Sequence, residues 1–109
     1  MAVATGEIRK IILAYIQELE EHHIPIREAV LFGSHAKGTA TDVSDIDIAL
    51  ISAAFNGNRF EDRRRIVPIR RKIDNRIEPI PITPEDFDNG GMLVDEIKRT
   101  GITIFKKNS

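Results

Sequence analysis

Two apolar strands are expected, over residues 28 to 32 and 46 to 52; a Gly33-Ser34 turn follows the first and, after ten further residues, Asp45-Ile46-Asp47 stands at the start of the second. The first stretch is short enough for a strand and ends at a glycine, the residue that lets backbone approach a ligand or turn sharply. The second alternates so that Asp45 and Asp47 share one face while Ile46 and Ile48 share the other. A chain of this pattern folds as strand, turn, loop and strand, with two acids at the start of the second strand. The loop contains Ala36-Lys37-Gly38, and Gly38 is placed to end a single helical turn made by residues 34 to 37.

Two carboxylates side by side repel unless a cation lies between them. Hard oxygen donors of this kind suit Mg²⁺, which takes one or two carboxylates, keeps several waters and completes its shell with substrate phosphates. The Gly33 backbone and the Ser34 hydroxyl and N–H are suited to phosphate oxygens. Taken singly, a Gly-Ser is an ordinary turn and an Asp-x-Asp an ordinary strand edge. Their order and spacing between two apolar strands point to nucleotide chemistry.

Gly33-Ser34, Ala36, Gly38, Ser44-Asp45 and Asp47 resemble the Gly-Ser-x10-Asp-x-Asp signature of the DNA polymerase beta-like nucleotidyltransferase superfamily, and the short chain resembles its minimal nucleotidyltransferase (MNT) branch. The likeness is specific over residues 29 to 51 and extends from about Ile8 to Phe105. It implies Asp45 and Asp47 as catalytic metal ligands, and Gly33, Ser34, Lys37 and Ser44 on the nucleotide. It implies ATP as substrate and two Mg²⁺ ions. Members of the branch are commonly paired with helical HEPN-domain proteins as antitoxin and toxin, and some transfer AMP from ATP to that partner. A hetero-oligomer with a HEPN-type toxin is therefore expected. The alternative is a catalytically idle module that neutralises such a partner by binding. A stand-alone transferase acting on RNA or a small molecule is a third reading.

The resemblance also implies a third carboxylate on a later strand, where aspartate is usual. Glu78, in Ile77-Glu78-Pro79-Ile80-Pro81-Ile82, is the expected residue, a third catalytic acid and metal ligand helping to hold the second ion, and it shares a face with Ile80 and Ile82. Glutamate is one methylene longer, so its geometry differs. Asp74 is the fallback. Prolines 79 and 81 lack N–H donors, which assigns this segment to an edge strand or an irregular one. His35 stands where relatives often carry arginine and reads either as a weaker phosphate contact or as an exposed loop histidine.

The rest of the chain is consistent with one α/β domain over residues 1–109, a small mixed β-sheet with helices packed mainly on one face. Residues 5 to 23 read as a helix, with Thr5 as cap, Ile8, Ile11, Ile12, Tyr15, Ile16 and Leu19 on one face, and His22 and His23 at its end. A second helix, about 59 to 76, carries Arg59, Arg63, Arg64, Arg65, Arg70, Arg71, Lys72 and Arg76 around Ile66, Ile69 and Ile73. Pro68 should kink or split it. Its basic residues meet ATP phosphates, RNA or an acidic partner, or they form a solvated face. Thr83-Pro84-Glu85-Asp86 opens a short helix, residues 92 to 99 form the last one, Gly101 ends it, residues 102 to 105 form a final strand, and the tail is loose.

Composition sets limits. A formal charge of −1 gives no general attraction to nucleic acid, so direct nucleic acid binding is not expected. There is no cysteine, which removes disulfides and thiolate metal sites. No apolar run approaches the ~20 residues of a membrane span and no signal peptide is visible, so the expected location is the cytoplasm.

Overall fold

The computed structural model describes residues 6–41 and 43–107, so the Thr5 cap and the last two residues of the tail lie outside the described residues. The chain forms α1 (Gly6–Glu21), β1 (Glu28–Phe32), the single turn α2 (Ser34–Lys37), β2 (Ile46–Ile51) and α3 (Arg59–Ile66). Next come a 3₁₀ helix (Val67–Lys72), β3 (Ile77–Ile82), α4 (Pro84–Asn89), α5 (Met92–Thr100) and β4 (Ile102–Lys106). Four strands make one mixed sheet in the order β3-β2-β1-β4. β1 is antiparallel to both β2 and β4, while β2 and β3 are parallel and need the crossover through α3.

The two central strands are buried on both faces, which explains their nearly unbroken apolar sequence. Ile46, Ile48 and Leu50 of β2 join Ala29 and Leu31 in the larger core cluster, against Ile8, Ile12, Tyr15, Ile16 and Leu19 of α1 and Ile66 of α3. On the opposite face Ala49, Ile51 and Val30 pack with Ile82 and with Val94 and Ile97 of α5. The larger cluster lies under α1 and α3, and α5 covers the smaller one. Each fully buried isoleucine or leucine contributes about 1.5–3 kcal/mol relative to exposure.

Helix ends reflect local chemistry. His23, at φ 66°, is the left-handed residue that closes α1: its N–H bonds Glu20 O, and the Ile24 N–H bonds Leu19 O, 3.0 Å each. Ile24 and Leu19 are both buried, the apolar contact that accompanies this closing motif. The expected helix over 59 to 76 is shorter and changes type. Pro68 has no N–H to continue the ladder, so α3 ends at Ile66 and tightens into the 3₁₀ turns. At that junction the buried Tyr15 hydroxyl donates to Ile66 O at 2.7 Å. Burial holds the Tyr15 hydroxyl well above the usual tyrosine pKa.

The loop before α3 is organised by Asp62, 1% exposed, whose carboxylate accepts from the Asn56 and Gly57 N–H groups at 3.1 Å each. Asn58 caps α3 by accepting from Glu61 N–H, and Thr83 caps α4 by accepting from Asp86 N–H, as its sequence suggests. Gly101 ends α5 with an extended backbone, not a left-handed one; any Cβ there would overlap Ile97 O and Val30 Cγ1.

β3 is an edge strand. Ile46 N–H donates to Arg76 O and Ser52 N–H to Ile82 O, so the even-numbered positions of β3 face β2. Pro79 and Pro81 therefore turn their missing donors to the open edge. The outward carbonyls of Ile77 and Pro79 accept from Arg70 and Arg63, 2.8 Å each. At the other edge, β4 carries a register irregularity opposite Ala29 and Val30, and the Ile104 carbonyl there accepts from Arg9.

Candidate active site

The site lies where β1 ends and β2 and β3 begin. Phe32, Asp47 and Glu78 are register partners across three adjacent strands, which places both acids in one row on the α5 face of the sheet. Ser34–Lys37 form the expected single turn, and Gly38 ends it in the left-handed conformation at φ 80°. Gly33 has φ 76°, and an added Cβ would overlap Asp47 Oδ2. Glycine at this position therefore does two things: it permits the turn, and it leaves the space that the Asp47 carboxylate fills.

Asp47 is half-buried and Asp45 exposed. The Asp47 pKa is raised above the ordinary aspartate value, first by burial, then by the negative charges of Asp45 and Glu78, with the His35 charge opposing. Three acids are thus close enough to raise the cost of ionising Asp47. A cation would relieve that cost.

The other expected residues divide between the site and its surroundings. Ser34 opens α2 half-buried and Lys37 is exposed beside it. The Ser44 hydroxyl accepts from Thr41 N–H at 2.8 Å and so pins the loop immediately before Asp45. Asp74 is apart from this group: it accepts from the Arg76 N–H and from its guanidinium, at 2.8 to 3.1 Å, which holds its carboxyl below the ordinary value. His35 is buried at 9% exposure, and its Nε2 has no hydrogen-bond partner. The expectation of an exposed loop histidine is corrected here, because the single turn lays the ring inward beside Ala36, which packs on the larger core.

Glu78 is held by two arginines that sequence reasoning left unassigned. Arg63 donates to Oε2 at 2.9 Å and Arg70 approaches Oε1 at 3.4 Å. Both arginines reach around the sheet edge from α3 and the 3₁₀ helix, binding Glu78 and the adjoining β3 carbonyls at once. The sequence shows a lone acid in an apolar edge strand but does not single out which of the basic residues between 59 and 76 would reach it.

As a donor set for Mg²⁺, Asp45 and Asp47 fit: both are hard, anionic oxygen donors, and the Asp45 charge adds to the cost of ionising Asp47. Among the described residues no three acidic or imidazole side chains are already gathered as a metal cage; Mg²⁺ commonly takes one or two carboxylates and completes its shell with substrate oxygens and water.

The sequence matches the family described as "Polymerase beta, Nucleotidyltransferase" over residues 14–109. The chain belongs to this nucleotidyltransferase family. The fold agrees. Among solved structures, this nucleotidyltransferase is similar to a protein from Sulfolobus solfataricus assigned as a nucleotidyltransferase, at TM-score 0.68 and 19% identity, over 93% of this chain and 82% of that one. It is also similar to a toxin-antitoxin structure with AMP-PNP, at TM-score 0.59 and 21% identity, over 91% of this chain and 73% of that one. A mutant of the toxin-antitoxin pair MntA-HpeT, with two Asp-to-Glu changes, matches at TM-score 0.54 and 17% identity over the same shares. At these identities the likeness establishes the fold. No curated protein matches the chain by sequence. Among the described residues, no helix is long and apolar enough to cross a membrane.

Proposed function

We propose that this nucleotidyltransferase transfers AMP from ATP to a hydroxyl of a partner protein, and that the partner is a HEPN-type toxin that the transfer silences. The observation that carries the chemistry is the Gly33 cradle, which accepts the Asp47 carboxylate beside Asp45 at the mouth of the Gly33-Ser34 turn. The protein acceptor is supported by the likeness to two toxin-antitoxin structures, one of them with AMP-PNP.

In this mechanism the Gly33-Ser34 turn offers backbone N–H groups and the Ser34 hydroxyl to the β- and γ-phosphates, and Lys37 adds positive charge at the rim. Asp45 and Asp47 would hold Mg²⁺, which supplies charge neutralisation on the triphosphate. Ser44 fixes the loop that presents Asp45. The acceptor oxygen forms its bond to the α-phosphorus, the bond from that phosphorus to the bridging oxygen breaks, pyrophosphate leaves with the electron pair, and the hydroxyl proton passes to solvent. The chain contributes position and electrostatic stabilisation. Glu78, the register partner of Asp47, is the third acid of the site and in its described rotamer answers to Arg63 and Arg70.

A second reading, a module that neutralises its partner by contact alone, is favoured by that arginine clasp on Glu78. One experiment separates the two: incubation with labelled ATP, Mg²⁺ and the helical partner, alongside an Asp45→Asn/Asp47→Asn control. Label on the partner only with intact acids supports transfer; a stable unlabelled complex supports the binding module.

A further inference from the structure

Phe60, Arg63, Arg64 and Val67 recur along α3 and into its end at i, i+3, i+4 and i+7, the spacing of one helix face. With Pro68 they line a shallow groove of about 520 Å³. Phe60 is 71% exposed, and its ring takes the Arg64 guanidinium at 5.8 Å instead of packing on the core. An exposed aromatic beside an apolar floor of Val67 and Pro68 is a surface that lowers its free energy by being covered.

The charge around the groove is one-sided. Arg59, Arg71 and Lys72 are exposed and have no acidic partner among the described residues. Of the two acids in α3, Asp62 is buried and accepts from backbone N–H groups, which leaves Glu61 as the exposed one. The whole chain carries −1, so this positive patch is set against an acidic remainder. RNA would use the arginines and leave the apolar floor idle. An amphipathic helix with acidic flanks uses both.

We propose that the outer face of α3 is the docking surface for an acidic amphipathic helix of the partner protein. Its apolar side chains seat among Phe60, Val67 and Pro68, and its carboxylates meet Arg59, Arg64 and Arg71. This rests on the reading that the acceptor is a protein, and it adds where that protein sits. Arg63 lines the groove and also holds Glu78 in the Asp47 row, so a helix docked there lies against the β3 edge, next to the site.

The test begins with a photo-crosslinking phenylalanine analogue at position 60 of the full chain, in the source cells. The linked protein is then purified and titrated calorimetrically against the chain with neither ATP nor Mg²⁺. The expected cross-link falls in an acidic helical segment, and Phe60→Ala and Arg64→Glu each weaken binding about tenfold or more, as truncation of an aromatic anchor does. Arg27→Glu, before β1 at the far end of the sheet, leaves it unchanged. A cross-link to RNA or to a second copy, no cross-link, or undiminished affinity in Phe60→Ala would overturn the proposal. Because binding is read without nucleotide, a partner that binds through the groove but takes no label refutes only the transfer reading. A partner labelled normally by a Phe60→Ala chain refutes only the docking.

Discussion

Asp47 and Glu78 are register neighbours on β2 and β3, yet their surroundings are opposite. Glu78 has two guanidinium groups at its oxygens. Asp47 has two like charges nearby, a desolvating environment, and only the His35 charge against them. Asp62 and Asp74 resemble Glu78: one is satisfied by backbone amides, the other by Arg76. An acid that the fold compensates is explained by the fold. An acid held at a cost to the fold asks for something from outside, and Asp47 is the one whose position the structure maintains against its own electrostatics.

Replacing that uncompensated acid should have the largest effect. If Asp47 holds the metal as proposed, Asp47→Asn is expected to lower nucleotidyl transfer by roughly 100-fold or more. At pH 7 the same change should raise Tm in thermal denaturation. The sign comes from the raised pKa: ionised Asp47 costs the native state its full penalty above that value, and the penalty fades as pH falls through it. The stability advantage of the asparagine should therefore vanish below the ordinary aspartate pKa. A lower Tm at pH 7 would break the comparison.

Gly33→Ala comes next. The added Cβ must displace Asp47 Oδ2 and sit at φ 76°, so a loss of about 2 kcal/mol or more in chemical denaturation is expected, together with loss of transfer. In the double variant Gly33→Ala/Asp47→Gly the overlap is gone, and part of the stability should return.

Glu78→Gln tests the compensated acid. It should cost about 1 to 2 kcal/mol, because both arginine contacts lose their charge assistance, and this is the reverse of the sign expected at Asp47. A Glu78→Gln chain as stable as wild type, or more so, would show that the arginine clasp carries no stability. Tyr15→Phe, which leaves Ile66 O without its donor, should cost about 1 kcal/mol. Asp74→Asn is the smallest, below about 1 kcal/mol for a pair near the surface. Its stabilisation is complete above the ordinary aspartate pKa and is lost only as pH falls through the lowered native value, so the Tm difference from wild type should close only in acid.

Much of this contrast was legible in the sequence. The strands announce themselves because central strands are apolar on both faces, and Pro79 and Pro81 mark an edge because a missing N–H is harmless only there. The Gly33-Ser34 turn, the single helical turn closed by Gly38, and the acids at the start of β2 obey local rules. The clasp on Glu78 does not. It joins residues fifteen and eight positions apart through the packing of α3 and the 3₁₀ helix against β3, and the eight basic residues of that stretch gave no local sign of which two would turn inward. The burial of His35 is also tertiary: a one-turn helix can present any of its four side chains to the core, and sheet packing selects. The switch from α to 3₁₀ at Pro68 was half legible, since a proline predicts that the helix breaks but does not specify the tighter turns beyond the break.

The treatment of the sheet borders limits how this protein can hold another chain. One border has two prolines without donors and two guanidinium groups over its outward carbonyls, and the other has an irregular register. An extended segment seeking to lengthen the sheet would find few free hydrogen-bonding groups on the guarded border and a broken ladder on the other. The proline border is therefore poorly suited to further growth of the sheet, and association there falls to the side-chain surfaces of the helices beside it.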